Sequence, residues 1–523
     1  MAQPGGLLRT VLEDTPHPRV VLSSIVGLIF LVIWLRRLNI SAMRKIPGPP
    51  HLKLSTAMVK YHEFVGTKSR WIHDLHLRYG PVVQIGRNEV SFASYTSSKQ
   101  IYSNGNKDFR KTELYHLFEQ DGHINLFTAL DPEKHSDIRR QFADRYSNTT
   151  VLRSKVLDSI TERASAFARV CSSTDSADVY LYLHAYALDC VTAMLFHPYG
   201  TDSLVGDKDK EMVRLLSYSS SRESRLHLRH CVPRVTDNLP GFYLDHYSPI
   251  LAKVWRAIGP RSKNIEKGGA MIREFVRECM AKDGLSDFTL ATRLLSLDNM
   301  DMKLAEAECL DHIGAGIETT GDTLCWLMWE LSQPKHWDKV TRLHNELVNA
   351  DPKKGLEVLP YLGAVVQEAL RLWAPGTLPL PRYVPKGGRH IDGYFLPADI
   401  IVGCTSYSMH RLDTSIFPDA DEFVPERWLD SAGNTDRQRL FFAFGLGART
   451  CIGKHLAIAE MKACLNAVYS QYRTRPAHDM RSSMGPEDVV LTSRPIGMCC
   501  KLEFVPWDIA LELPREGSPS EHV

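Results

Sequence analysis

The densest chemistry in the chain lies near its C-terminal end, in Phe444-Gly445-Leu446-Gly447-Ala448-Arg449-Thr450-Cys451-Ile452-Gly453. One cysteine sits in a glycine-rich turn, with an arginine two residues before it and an aromatic approach through Phe441, Phe442 and Phe444. Gly445, Gly447 and Gly453 permit a tight backbone and close approach by a bulky flat group. A helical pattern runs from His455 to Tyr472, so the thiol stands just ahead of a helix N-terminus, where the dipole favours the thiolate. With no Cys or His partner at zinc spacing, this is a poor zinc site. A lone thiolate suits the axial position of a haem iron. Arg449 would then pair with a haem propionate through a charge-assisted hydrogen bond.

A second reactive group stands inside a helical pattern from about Leu304 to Leu331. Leu310, Ile313, Ile317, Leu324, Leu327, Met328 and Leu331 spread widely around the wheel. That predicts a helix buried through the protein, roughly 42 Å long, with Pro334 as its stop. In its middle lies Ala315-Gly316-Ile317-Glu318-Thr319-Thr320. Gly314, Gly316 and Gly321 weaken the helix, and Thr319 can bond back to an upstream carbonyl. An opened turn there would admit a water, and a hydroxyl beside a carboxylate is a suitable proton relay. Without Cys451 the same residues read as a Gly–Ala packing notch with a surface glutamate.

The third signal, Glu368-x-x-Arg371, is weak alone, because such i,i+3 pairs decorate most surface helices. Its helix is well marked: Pro360 suits the first turn, and Leu362, Val365, Val366, Ala369, Leu370 and Trp373 form one stripe. Glu368 and Arg371 fall off that stripe, so periodicity predicts them exposed. Two decoys overlap the cysteine turn. A dinucleotide fingerprint lacks its third glycine at Thr450, and a phosphate loop lacks its first glycine at Ala448 and its hydroxyl at His455.

The elements that must position these groups are mostly helical. Tyr79 to Ala93 reads as a hairpin, and Arg382 to Thr405 is strand-like with turns at Gly387-Gly388 and Asp392-Gly393. The 523 residues, 44% apolar and 24% charged, form an ordinary globular composition. A net charge of +2 argues against nucleic-acid binding. Eleven cysteines without any C-x-x-C point to reduced thiols. Val20 to Leu35 carries no charge, and Arg36, Arg37, Arg44 and Lys45 follow it. This predicts a retained N-terminal transmembrane helix with the bulk of the chain on the cytosolic side. Residues 1–45 are the anchor and its basic flank. Ile46-Pro47-Gly48-Pro49-Pro50 is a stiff, extended hinge.

The cysteine turn matches F-x-x-G-x-R-x-C-x-G, the haem signature of the cytochrome P-450 superfamily, at every fixed position. The chain resembles that family from Ile46 to Phe504, with the motifs in the expected order. The long helix matches (A/G)-G-x-(D/E)-T-(T/S). The resemblance makes Thr319 the hydroxyl that bonds the bound oxygen and Glu318 a proton donor. It turns Glu368 and Arg371 inward onto the arginine of Pro425-Glu426-Arg427-Trp428, a structural ion network of Glu368, Arg371 and Arg427. His135-x-x-x-Arg139 stands where the family usually has tryptophan and arginine. Together with Arg382, these residues are further propionate partners, so Cys451, Arg449, Phe444, Gly445, Arg382, His135 and Arg139 form the cofactor set.

The resemblance implies a mostly α fold with a small β subdomain, the cytochrome P-450 fold, as one domain over 46–523. It implies haem b (iron protoporphyrin IX) and insertion of one oxygen atom from O2 into an apolar organic substrate. Since the chain has no flavin or nicotinamide motif, electrons come from an NADPH-cytochrome P-450 reductase, with cytochrome b5 as a second donor. Arg437, Arg439 and Lys454 are candidates for the docking face. Leu117, Phe118, Leu126, Phe127, Gly376, Thr377, Leu378 and Thr492, with Val213 to Leu251, are candidates for pocket walls. The anchor and hinge resemble microsomal members in the endoplasmic reticulum membrane. His410-Arg411-Leu412-Asp413 and Phe417-Pro418-Asp419-Ala420 look most like filamentous-fungal enzymes of secondary metabolism. A peroxide-using isomerase or dehydratase tends to lose the acid–threonine pair, which is intact here. A haem sensor would consume no oxygen.

Overall fold

The computed structural model describes residues 23–25, 27–29, 43–103, 108–219, 263–298 and 300–509. Helix dominates and strands are few. The long helix spans Met302–Leu331, and the Asp301 carboxylate caps it by accepting the Lys303 N–H at 3.1 Å. It packs along the helix Val179–Phe196. Two of its glycines permit that approach: a Cβ on Gly316 would lie 2.9 Å from Val191 Cγ2, and one on Gly321 would lie 3.0 Å from His184 Nδ1. Val179–Phe196 is also long and apolar enough to cross a membrane, but 89% of it is buried inside the protein. It is a core helix, apolar on all faces because all faces are covered.

The predicted hairpin pairs Val82–Gly86 with Glu89–Phe92, Val82 opposite Phe92. Ile401–Cys404 joins Glu89–Phe92 in parallel, and Arg382–Tyr383 adds an antiparallel edge. This sheet has its own apolar core, with Val90, Phe92, Val402, Phe417 and Trp428, separate from the helical one. The turns fall where the sequence places them, with positive φ at Gly387, Gly388, Asp392 and Gly393.

The proline segment is extended at Pro49 and packs on the domain. Ile46 is buried, and the Pro47 carbonyl accepts the Gln84 N–H at 2.8 Å, so the segment lies against the first strand. Pro50 opens a short 3-10 helix, Pro50–Lys53, because a proline at the first helical position gives up no hydrogen bond. The expected anchor lies almost wholly outside the described residues; Ser23–Ile25 and Gly27–Ile29 are helical and exposed. Most of the expected wall segment Val213 to Leu251 also lies outside them.

Candidate functional site

Cys451 sits three residues before the helix Lys454–Tyr469, whose N-cap is Gly453. The Cys451 N–H donates to the Phe444 carbonyl at 2.9 Å, closing the turn. Gly445 and Gly447 hold φ of 69° and 77°. A Cβ on Gly447 would overlap the Tyr102 carbonyl oxygen, so only glycine fits. The Cys451 side chain is accessible, yet protein mass around it raises the thiol pKa. The Gly453 and Lys454 N–H groups and the charges of Arg139 and Lys454 pull the other way. Donors that favour the anion are therefore in place at the sulfur, and a bound metal would favour the thiolate further.

Beside the cysteine stands a concentration of positive charge. Arg449 donates to the carbonyls of Ala129 (2.6 Å) and Leu130 (2.9 Å), and Arg139 donates to the Thr450 carbonyl at 2.9 Å. Arg382 donates to the Tyr115 hydroxyl at 2.9 Å and to its neighbour Pro381. Lys111, which sequence reading missed, is buried and donates to the Phe127 carbonyl. Burial, then Arg449, Lys111, Arg139 and Arg382, push His135 down to about 2, so it is a neutral imidazole. Burial and Arg382 lower Arg449 to about 10. The hydrogen bonds of these four cations end on carbonyls and one phenol. A ligand bearing carboxylates would relieve this repulsion, and the two propionates of a haem fit that demand. The expected partners Arg449, Arg139, His135 and Arg382 are thus brought together.

In the middle of the long helix, Asp311, Gly314, Ala315, Glu318 and Thr319 are partly or fully exposed, while His312, Ile313, Ile317 and Thr320 beside them are buried. The exposed residues recur at i, i+3, i+4, i+7 and i+8, one face of a helix. A Cβ on Gly314 would meet no atom within 4 Å. The Thr319 hydroxyl donates to the Ala315 carbonyl at 2.7 Å. The helix remains continuous from Met302 to Leu331, so the opened turn expected from the glycines is not a break in it. Two of the three glycines instead face the helix Val179–Phe196.

Glu368 and Arg371, which periodicity places outside, are fully buried. The Glu368 carboxylate also accepts from Arg427 Nε (3.1 Å), Trp428 Nε1 (2.8 Å) and the Val424 N–H (3.1 Å). Arg371 and His410 exchange two bonds: Arg371 Nη1 donates to the His410 carbonyl at 3.0 Å, and His410 Nδ1 donates to the Arg371 carbonyl at 2.8 Å. His410 Nε2 then accepts the Phe442 N–H at 2.8 Å. One continuous chain of bonds links the ion network to the approach of the cysteine turn. His410 is a positioning residue whose only sequence signal was its place in the Arg411-Leu412-Asp413 run.

Arg437 is not on a docking face. It is buried and donates to the Asp430 and Ala432 carbonyls at 2.6 Å each, holding the loop ahead of its own short helix. Arg439 is exposed and pairs with Asp436 at 3.0 Å; Lys454 stands over the Phe444 ring at 5.8 Å. Among the expected wall residues, Leu117 and Phe118 pack with Leu114, Tyr115, Val490 and Leu491. This joins the loop after Arg110 to the C-terminal hairpin that carries Thr492. Leu126, Thr377 and Leu378 are buried, Phe127 is exposed, and a Cβ on Gly376 would meet open space.

A thiol at a helix start, a cation cluster beside it and an acid–alcohol pair on an opened helix face define a haem-thiolate oxygenase arrangement. Residues 46–500 match the family model described as cytochrome P-450. The chain is 30% identical to a pisatin demethylase of Fusarium vanettenii over 83% of this chain and 85% of that one. It is 28% identical to the cytochrome P-450 monooxygenase stcB of Emericella nidulans over 80% of each. It is 29% identical to the cytochrome P-450 monooxygenase esdpH of Penicillium shearii over 86% of this chain and 93% of the relative. The protein belongs to the cytochrome P-450 family, and its activity is that of a monooxygenase.

Proposed function

We propose that the protein binds haem b through Cys451 and hydroxylates, or otherwise oxidises, an apolar organic substrate in fungal secondary metabolism. Electrons come from NADPH through a reductase, with cytochrome b5 as a further donor. The catalytic domain, 46–523, stands on the cytosolic side of the endoplasmic reticulum membrane behind the 1–45 anchor. The observation that carries the reading is the partly buried cation cluster of Lys111, Arg139, Arg382 and Arg449 beside a thiol that accepts two backbone N–H groups.

When bound, the haem supplies the activation of O2 and the transfer of one oxygen atom. The chain's residues supply the rest. Cys451 would hold the iron through its thiolate, and Phe444 and Gly445 shape the turn that presents it. Arg449, Arg139, Arg382 and neutral His135 would hold the propionates. Glu318 would pass protons to the Thr319 hydroxyl, which would hold and donate them at the exposed face of the long helix. Glu368, Arg371 and Arg427 hold the scaffold. The test is a reduced, carbon monoxide difference spectrum of the full chain beside a Cys451→Ala variant. The red-shifted band of thiolate-ligated haem is expected in the first and not in the second. A band at the histidine-ligated position, or no haem in folded protein, would sink the reading.

A further inference from the structure

Behind the exposed face of the long helix, three side chains form a line that the reaction above does not use. Tyr146 ends the short 3-10 turn Ala143–Tyr146, which packs against the helix Lys454–Tyr469 that follows Cys451. Glu308 and His312 stand one turn apart on the long helix. The Tyr146 hydroxyl donates to His312 Nδ1 at 2.5 Å, and His312 Nε2 donates to Glu308 Oε1 at 3.3 Å. That direction follows from the far end: a carboxylate only accepts, so Nε2 carries the hydrogen and Nδ1 offers its lone pair to the phenol. Glu308 is held in turn by the Leu126 N–H, at 3.1 and 3.0 Å from its two oxygens. An acid thus orients a base, and the base faces a single hydroxyl, as in an activated nucleophile. Here, however, all three side chains are buried, and the Phe142 ring stands edge-on to the imidazole at 5.5 Å. A hydroxyl closed off in this way can pass its proton only to His312.

We infer that Tyr146 is an internal one-electron donor: when no substrate is oxidised, the phenol gives an electron to the oxidising equivalent generated at the haem, and its proton moves to His312 Nδ1. The inference rests on the haem-thiolate reading above and goes beyond the oxygen transfer described there. The step balances on named atoms. The Tyr146 O–H bond breaks, the electron goes to the oxidant, and the proton forms an N–H bond at His312. The imidazolium formed stays bonded to the Glu308 carboxylate, and a tyrosyl radical remains. The oxidant comes from oxygen activation, and hydrogen peroxide acting at the same cofactor supplies the same equivalent. The phenol does not lose its proton first, because burial, then Cys309 and Glu308, hold its pKa well above the ordinary value. Losing the electron alone would leave an unpaired cation among apolar side chains. A base within hydrogen-bond reach lets both leave together. The charge of Cys451 also bears on the phenol, which puts Tyr146 in the neighbourhood of that sulfur.

The test uses the full-length, haem-loaded protein without substrate, mixed with hydrogen peroxide, frozen within milliseconds and read by high-field electron paramagnetic resonance. Wild type should show a tyrosyl radical whose g-tensor carries the shift caused by a hydrogen bond donated to the phenoxyl oxygen, here from protonated His312. Tyr146→Phe should lose that signal, and its haem should bleach faster under peroxide. His312→Asn can accept the phenol's hydrogen bond but cannot hold its proton, so it should lose most of the signal while keeping the tyrosine. No tyrosyl signal in wild type, a signal without the hydrogen-bond shift, or a signal that survives in either variant would overturn the inference. Should Tyr146→Phe fail to load haem, the wild-type shift and His312→Asn still decide it. The carbon monoxide band separates the two levels. A wild-type protein without it defeats the proposed function and this inference together, whereas the band without the radical defeats this inference alone.

Discussion

Arg371 grips Glu368 through two parallel hydrogen bonds, Nε to Oε2 at 2.9 Å and Nη2 to Oε1 at 2.8 Å, with both side chains wholly removed from solvent. A bidentate pair in this setting holds geometry rather than adding net stability, but breaking it leaves an uncompensated buried charge. Glu368→Ala should therefore lose about 3–5 kcal/mol. Thermal melting of the full chain checks this, and a melting temperature equal to wild type would refute the structural assignment.

His410 makes acid sensitivity a local matter. Its Nδ1 must donate and its Nε2 must accept, so only the neutral ring fits. Burial, more than the facing Arg371 and Arg411, depresses its pKa to about 3. The folded value lies below the unfolded one near 6.5, so the folded state binds fewer protons between them. The stability is fully present above about pH 6.5 and falls by up to ~1.4 kcal/mol per pH unit as pH drops toward 3. His410→Gln should be less stable than wild type at pH 7.5, with the gap narrowing steadily to pH 5. Parallel melting curves across that range would count against it.

The glycines of the long helix should separate by what faces them. Gly316→Ala puts a Cβ 2.9 Å from Val191 and should destabilise by roughly 1–3 kcal/mol. Gly314→Ala meets open space and should stabilise by up to about 1 kcal/mol through helix propensity. The same sign of shift in both melting temperatures would contradict the packing described here.

Thr319 donates to the Ala315 carbonyl, which leaves its oxygen lone pairs free to accept from a proton donor such as Glu318. If the hydroxyl relays protons, Thr319→Ala should lower product formed per NADPH roughly tenfold, with peroxide released instead. Thr319→Ser, which keeps the hydroxyl, should restore most of it. Unchanged coupling in the alanine variant would remove Thr319 from the relay.

If haem propionates sit at the cation cluster as proposed, Arg449 contributes repulsion in the protein without haem and attraction with it. Arg449→Gln should lower the haem-to-protein ratio on purification while leaving the melting temperature of haem-free protein unchanged or higher. Full haem retention would show that the other cations suffice.

Short-range patterns in the chain carried its family and the order of its motifs. Cys451, Arg449, the Glu318-Thr319 pair and the hairpins are short-range patterns, in which a spacing, a turn residue or a helix stop carries the information. Tertiary structure decided what long-range contacts decide. Helical periodicity put Glu368 and Arg371 outside, because a buried ion pair looks like a surface pair until Arg427 and Trp428 arrive from sixty residues away. The same limit hid Lys111, made Arg437 look free, and left His410 without a role beyond its place in a short run. Charge in a sequence says nothing of burial; only packing determines whether a charged side chain meets water, a carbonyl or another charge.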